Sequence, residues 1–251
     1  MQWAGDDHGN PILAVLPLHG RGNKNNEGEG VRFLGYRWPW IESNQPVVLF
    51  DSSAGLHATH NFNVTPLHAS GLFVIATKEG LRTFTTTNLP QNPGKFLSDE
   101  PAGEVRLGSL GPQKIAFVAT IEPMHGNRLA VTLLTDLGAL TTAAKRLVLD
   151  ESLTQGHALA TGDLLGIGFD QIVVGWRGAG KPGEKVGIKL YAPDDATGTS
   201  WKLNTLIDDN QMACEDLKLA DLNGDGRLDI IAAGRATKNV VIYWNESGKA
   251  K

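Results

Sequence analysis

The sequence predicts an all-β fold, a β-propeller of four-stranded blades with about five blades present. Two observations carry this expectation. Apolar segments are short, rich in Val, Ile, Leu and Phe, and separated by Gly, Asn, Asp and Pro, which suits many short strands rather than amphipathic helices. The second is a repeat. Residues 156–177 align without a gap on residues 214–235, with Asp163 on Asp221, Gly168 on Gly226 and Arg177 on Arg235. A β-sandwich with accidental similarity is the rival architecture, and the ungapped match with its shared loop glycine disfavours it.

Taken in chain order, the strand-like runs are Ile12–Leu18, Leu72–Thr77, Ile115–Ile121, Gln171–Trp176, Gly187–Tyr191, Asp229–Ala233 and Val240–Trp244. These runs are rich in Val, Ile, Leu and Phe and separated by turn formers. A truncated copy of the repeat occupies Trp3–Leu18, with Asp6–Pro11 where its loop should be, and looser copies run from His60 to Lys78 and from Gly103 to Thr120. Only Thr135–Lys145 carries a helical reading, and its periodicity is weak. Each copy is trailed by one or two more strand-like runs, giving units of roughly 40 to 60 residues. One domain with blades at 1–54, 55–100, 101–153, 154–211 and 212–251 follows. The chain opens inside an innermost strand and closes three strands into its last blade. A fragment or an unusually short member with an incomplete ring is therefore expected, with missing blades or further domains in a longer parent chain in the first case.

Composition narrows the function classes. The 251 residues are 41 % hydrophobic and 20 % charged, too apolar for a disordered chain. With 23 Lys and Arg against 27 Asp and Glu and no basic cluster, nucleic acid and anionic membranes are disfavoured as partners. A small or neutral ligand is expected instead. Cys214 is the single cysteine, so no disulfide framework or cysteine zinc cluster forms within the chain. No run approaches the roughly 18 apolar residues of a membrane span. The first residues lack the basic and apolar regions of an export signal, although Met1 could be an internal methionine of a longer protein.

The strongest local signal is Asp221-Leu-Asn223-Gly-Asp225-Gly226-Arg227-Leu-Asp229. It offers side-chain oxygens from Asp221, Asn223, Asp225 and Asp229 and a backbone carbonyl from Arg227, with a glycine permitting the tight turn. A hard cation such as calcium takes about six to eight oxygens, and alternate residues of a turn can point inward to supply them. There is no Glu at the twelfth position, which excludes an EF-hand. The equivalent loop beginning at Asp163 has Leu165, Ile167 and Gln171 at the corresponding ligand positions and should fold without metal. That retention argues for a structural calcium, a staple on a hairpin.

Through Asp221-Leu-Asn-Gly-Asp-Gly-Arg-Leu-Asp-Ile-Ile-Ala-Ala-Gly the chain resembles the FG-GAP or VCBS repeat propellers, over roughly residues 56–245. That group includes integrin heads, lectin-like modules and enzymes, so it implies a fold more than a function. More narrowly, Leu56-His57-Ala-Thr-His60-Asn61-Phe62, Met124-His125-Gly126-Asn127, Gly156-His157-Ala158-Leu159 and Asp209-Asn-Gln-Met-Ala-Cys-Glu215-Asp216-Leu217 look like the propeller part of aldos-2-ulose dehydratase-type proteins. The resemblance implies action on keto-sugars such as anhydrofructose and an extracytoplasmic or secreted location. The cupin domains of fuller members are not in this sequence.

Antiparallel partners have a constant index sum. With Asp221 and Asp229 as the two sides of the loop, Glu215 is expected opposite Arg235, and with Asp163 and Gln171, His157 opposite Arg177. His60, His157 and Glu215 should then converge at the channel mouth remote from the calcium turn. His60 has Lys78 nearby, and His19 and His125 lie just beyond strand ends. Imidazoles and a carboxylate are ligands for zinc and similar divalent ions, and also general acids and bases. Dehydrating a keto-sugar needs a base for the proton beside the carbonyl, an electrophile for the enolate and an acid for the departing hydroxide. The expectation assigns His60, His157 and Glu215 to the metal and catalysis, His125 or His19 to proton carriage, and Lys78, Arg177 and Arg235 to a sugar oxygen or enolate. The bland alternative at each position is a satisfied surface histidine or a structural ion pair. At the level of the whole chain, the rivals to a lyase are a calcium-stabilised glycan- or protein-binding module and a purely structural fragment.

Two motifs are decoys. Gly175-Trp-Arg-Gly-Ala-Gly180-Lys181-Pro182 nearly matches a P-loop, but Pro182 replaces the Ser or Thr and no helix is expected to follow. Asn63-Val-Thr65 and Asn245-Glu-Ser247 match the glycosylation pattern, which is uninformative without an export signal.

Overall fold

The computed structural model describes residues 1–5, 10–24, 27–38, 45–51, 55–65, 72–85, 95–111, 115–134 and 143–248. The loop expected at Asp6–Pro11 lies outside them up to Gly9. Of the stretch read as helical, residues 135–142 lie outside them and Ala143–Lys145 open a strand instead. No helix occurs among the described residues, and none is long and apolar enough to cross a membrane. The fold is all-β: five successive antiparallel sheets, the blades of a five-bladed β-propeller. Four sheets have four strands and the last has three. The chain forms two compact units, residues 1–105 with 138–142, and residues 106–137 with 143–251.

In the first unit, β1 (Gln2–Gly5), β2 (Pro11–Val15), β3 (Arg32–Arg37) and β4 (Val47–Asp51) form one meander, and β5 (Thr59–Thr65), β6 (Leu72–Thr77), β7 (Gly80–Thr85) and β8 (Lys95–Ser98) form the next. Leu72–Thr77 reads as a continuous apolar run because β6 is buried on both faces. Phe33 of the first sheet inserts among Phe62, Phe73 and Phe84 of the second, with ring centroids 4.9, 5.3 and 5.4 Å away and edge-on geometry. Such pairs add about 0.5–1.5 kcal/mol each beyond the area they bury. The Gln2 amide completes the joint: it donates to the Phe62 carbonyl and accepts the Val64 N–H, as a strand backbone would.

The third sheet comprises β9 (Glu104–Ser109), β10 (Ile115–Glu122), β11 (Arg128–Leu134) and β12 (Ala143–Asp150). Apart from the first two residues of β9, it belongs to the second unit. There it is followed by β13 (Gly156–Gly162), β14 (Gln171–Trp176), β15 (Gly187–Pro193) and β16 (Trp201–Asp209), then by β17 (Cys214–Ala220), β18 (Asp229–Gly234) and β19 (Asn239–Tyr243). β14 shows the packing logic. Side chains alternate across a strand, so Ile172, Val174 and Trp176 face the core shared with the third sheet while Val173 faces the core shared with the fifth.

The register differs from the index-sum expectation by one residue. Ala220, not Asp221, pairs with Asp229, and Gly162, not Asp163, pairs with Gln171, because Asp221 and Asp163 are drawn into their loops. A further shift falls between Gly156 and Ala158, between Cys214 and Asp216, and between Thr59 and Asn61. His157, Glu215 and His60 are therefore the extra residues of three β-bulges at one blade position. The expected pairing of Glu215 with Arg235 and of His157 with Arg177 within a sheet is thus corrected: Arg177 N–H donates to the Gln155 carbonyl and Arg235 N–H to that of Ala213, each at 3.2 Å. A bulge re-aims the side chain it carries. This matters for the site.

Candidate functional site

In the second unit the fourth and fifth sheets meet at their bulges. His157 Nδ1 lies 2.7 Å from the backbone carbonyl of Glu215. A carbonyl only accepts, so Nδ1 carries a proton, and in the neutral ring Nε2 keeps the lone pair. That nitrogen is 3.8 Å from Glu215 Oε1. Arg177, also from the fourth sheet, places one terminal nitrogen 2.7 Å from both Glu215 oxygens and its Nε 3.2 Å from Gln155 Oε1. Arg235 approaches the same carboxylate at 3.7 Å with 70 % of its side chain exposed, against 13 % for Arg177. Burial works to raise the Glu215 carboxyl, but the Arg177 hydrogen bond and the charges of His157, Arg177 and Arg235 outweigh it and hold it below its ordinary range.

His125 completes the group. Its ring stacks on His157 with centroids 4.8 Å apart and planes 16° from parallel. The loop that carries it is tied to the start of β13 by a 2.8 Å bond from Gly156 N–H to the Gly126 carbonyl. His125 and Gln155 both adopt left-handed backbone conformations, at φ 51° and 53°. Such strain in a non-glycine residue costs about 1–2 kcal/mol and is characteristic of sites where a side chain must be aimed. Gln155, which steadies Arg177, and Glu104, below, are not among the residues marked in the sequence, and Asn61 figures there only within the His60 motif. Only their places beside the bulge residues could have marked them.

In the first unit His60 repeats the device. Its Nδ1 lies 3.2 Å from the Gly103 carbonyl and 3.0 Å from Glu104 Oε1, while Asn61 Nδ2 donates to Glu104 Oε2 at 2.7 Å. Lys78 corresponds to Arg177 and Arg235, its N–H bonding the Ala58 carbonyl at 2.8 Å, with its side chain exposed. His19 is exposed and bridges to Ala58.

The nitrogens that His125 and His157 can offer a metal lie within 4.8 Å of one another, so this pair suits a divalent ion of the zinc kind. The Glu215 carboxylate, with both oxygens on Arg177, is engaged as an anchor and does not fit as a ligand in this arrangement.

The Asp221 loop closes on itself. Asp221 accepts the N–H groups of Gly224, Asp225 and Gly226 at 2.8–3.1 Å, and Asp225 accepts that of Arg227 at 3.0 Å and also the Arg227 guanidinium. Asp229, fully buried, accepts from Leu222 N and Asn245 N. An all-oxygen donor set of Asp221, Asn223, Asp225, Asp229 and the Arg227 carbonyl is chemically suited to calcium. In the sister loop Asp163 accepts the N–H groups of Ile167 and Gly168 at 2.9 and 2.7 Å, the same scaffold with fewer ligands. The P-loop decoy leads into β15, and Glu184 Oε2 there accepts Ala179 N and Lys181 N, amides a phosphate would need.

No family model matches the chain, and no curated protein matches it in sequence. Among solved structures it is similar to an endo-1,4-beta-xylanase from Bacteroides thetaiotaomicron, at 12 % identity and a TM-score of 0.46 over 95 % of this chain and 91 % of that one. It is also similar to a Bifidobacterium bifidum protein assigned as an exo-beta-1,3-galactanase, at 9 % identity and a TM-score of 0.42 over 95 % of this chain and 92 % of that one.

Proposed function

We propose that the chain is a calcium-stabilised propeller of the FG-GAP or VCBS kind acting as a carbohydrate-active lyase of the keto-sugar dehydratase type. The observation that supports this reading is the His157 imidazole, fixed through Nδ1 so that Nε2 of the neutral ring presents a lone pair 3.8 Å from the Glu215 carboxylate that two arginines flank, with a second imidazole stacked on the ring. Nε2 takes the proton next to the sugar carbonyl. Arg177 and Arg235 stabilise the negative charge that develops on the carbonyl oxygen, and His125 returns a proton to the departing hydroxide. A zinc-like ion on Nε2 of His157 would take up the lone pair that the base needs, so metal binding and general-base action by His157 are alternatives, and the base role is the one proposed. His60 is the imidazole of the first unit with the same tautomer lock.

The test is turnover of a keto-sugar such as anhydrofructose, followed by the ultraviolet absorbance of the unsaturated product. His157→Gln should lower the rate about 100-fold or more with an unchanged melting temperature. Full turnover by that variant would discard the reading. A second reading, a glycan-binding module without turnover, draws on a cavity of about 180 Å³ between the fourth and fifth sheets, lined by Leu164, Leu190, Ile207, Ile230 and the half-exposed Trp244. Binding of a glycan by wild type and His157→Gln alike would favour it.

A further inference from the structure

The charge of the bulge site narrows its ligand. Two arginines and the His157 imidazole surround one carboxylate in the second unit, and His125 stacks on His157. Glu215 is matched by Arg177, whose terminal nitrogen reaches both of its oxygens at 2.7 Å. Arg235 stands one ångström further off, at 3.7 Å, with most of its side chain in solvent. The next acidic group along β17, Asp216, is 3.0 Å from Lys218 and caps Leu217 N, so it does not offset Arg235. The two guanidinium groups against one carboxylate leave one positive charge in excess before any charge on an imidazole is counted.

A neutral keto-sugar offers nothing to match that charge. We infer that the ligand of this site is an anionic sugar, a hexuronate whose carboxylate sits on the carbon that loses its proton, with Arg235 as its partner. The inference rests on the lyase reading above and replaces the ketone by a carboxylate as the electron sink. An arginine fork pairs with a carboxylate through two parallel N–H···O bonds, which a ketone oxygen cannot receive.

The chemistry balances without any further reactant. The His157 Nε2 lone pair takes the C5 proton, the C5–H electrons form the C4=C5 double bond, and the C4–O bond breaks. The leaving oxygen takes its proton from protonated His125. The products are an unsaturated uronate and an alcohol or water. Neutralising the carboxylate is what makes the C5 proton acidic enough to be taken, and Arg235 supplies that neutralisation from a position that no protein carboxylate already holds at bonding distance.

The experiment uses the full chain, with galacturonate, glucuronate and their neutral parents galactose and glucose as probes, read by calorimetry at low salt. Short oligogalacturonides are assayed in parallel for the absorbance of the C4=C5 bond conjugated to the carboxylate. Uronates should bind about tenfold or more tightly than the parent sugars, a difference of the size one charged contact supplies. Arg235→Gln should erase most of that preference and Arg235→Lys should restore part of it. Arg235 is exposed, so the fold should survive, which an unchanged melting temperature verifies. Equal affinity for charged and neutral sugars, or a preference insensitive to Arg235→Gln, would overturn the inference whatever the lyase assay shows. An Arg235-dependent uronate preference with no unsaturated product would instead sink the lyase reading and leave the carboxylate contact standing.

Discussion

Gly175 shows how tightly single residues bind this chain to its sequence. A Cβ built there would lie 2.5 Å from Cys214 Sγ and 2.7 Å from its Cβ, contacts no real side chain tolerates. Gly175→Ala should therefore cost about 1–3 kcal/mol through overpacking, read as a lower midpoint in urea. Adding Cys214→Ala removes the sulfur but leaves the Cβ at 2.7 Å, so rescue should be partial. Cys214 itself is fully buried, and its thiol is pushed up to about 12 by burial and then by the charges of Asp216, Asp208 and Glu215. Only thiolate reacts. An alkylating reagent at neutral pH should leave the native protein unlabelled and label it fully in denaturant; rapid native labelling would contradict the packing described. The site residues were partly legible at this scale. The ungapped repeat places His157 and Glu215 in equivalent positions, as the bulges bear out, because equivalent residues of repeated sheets experience equivalent backbones. Their partners were not legible. An index sum assumes an unbroken ladder, and one extra residue per strand moved Arg177 from opposite His157 to a contact with Glu215 across the sheets.

Among the elements, the two sister loops separate folding from metal binding. Asp163 and Asp221 each gather backbone N–H groups in the same pattern, and the turn glycines Gly168 and Gly226 have φ of 81° and 82°. The aspartate at the first position thus organises the turn without help, while Asn223 and Asp225 supply oxygens that Leu165 and Ile167 lack. If calcium occupies the Asp221 loop, adding it to chelated protein should stabilise the fold by about 2.7 kcal/mol at one hundred times its dissociation constant. Asp225→Ala should abolish that increment. Equal melting temperatures in calcium and in chelator would exclude a bound calcium staple. The strands themselves were largely legible, since buried runs such as Gln171–Trp176 and Leu72–Thr77 coincide with β14 and β6. Outer strands were less so: β16 is exposed along much of its length and carries Lys202, Asn204 and Asp209, so its apolar pattern is diluted by residues that face water.

Across the whole molecule, stability depends on how sheets are joined, and each unit has its own joint. The first relies on aromatic packing around Phe33. The second adds a polar joint between its third and fourth sheets. Asp150, at the end of β12 and only 9 % exposed, accepts from Lys189 Nζ and the Tyr191 hydroxyl of β15 at 2.7 Å each, and from Ser152. Lys189 also lies 5.0 Å above the Trp176 ring. Burial pushes the Asp150 carboxyl up, but the bonds from Lys189, Ser152 and Tyr191 prevail and hold it below its ordinary value. A carboxyl whose folded value is depressed stabilises the fold above its unfolded value, near 4, and that contribution is lost as pH falls through the folded value. The second unit should therefore weaken progressively below about pH 4, with the Asp150 joint among the contributors. Asp150→Asn removes the charge while keeping an acceptor, and strands Lys189 beside a neutral amide. It should cost roughly 3 kcal/mol at pH 7, and the gap from wild type should shrink as pH falls through the depressed folded value of Asp150, where wild type loses its own carboxylate. The same substitution should leave exchange protection in β5 to β8 unchanged, since that sheet draws on the phenylalanine cluster. Parallel melting curves for wild type and Asp150→Asn across the whole acid range would show that the joint carries no pH-dependent stability.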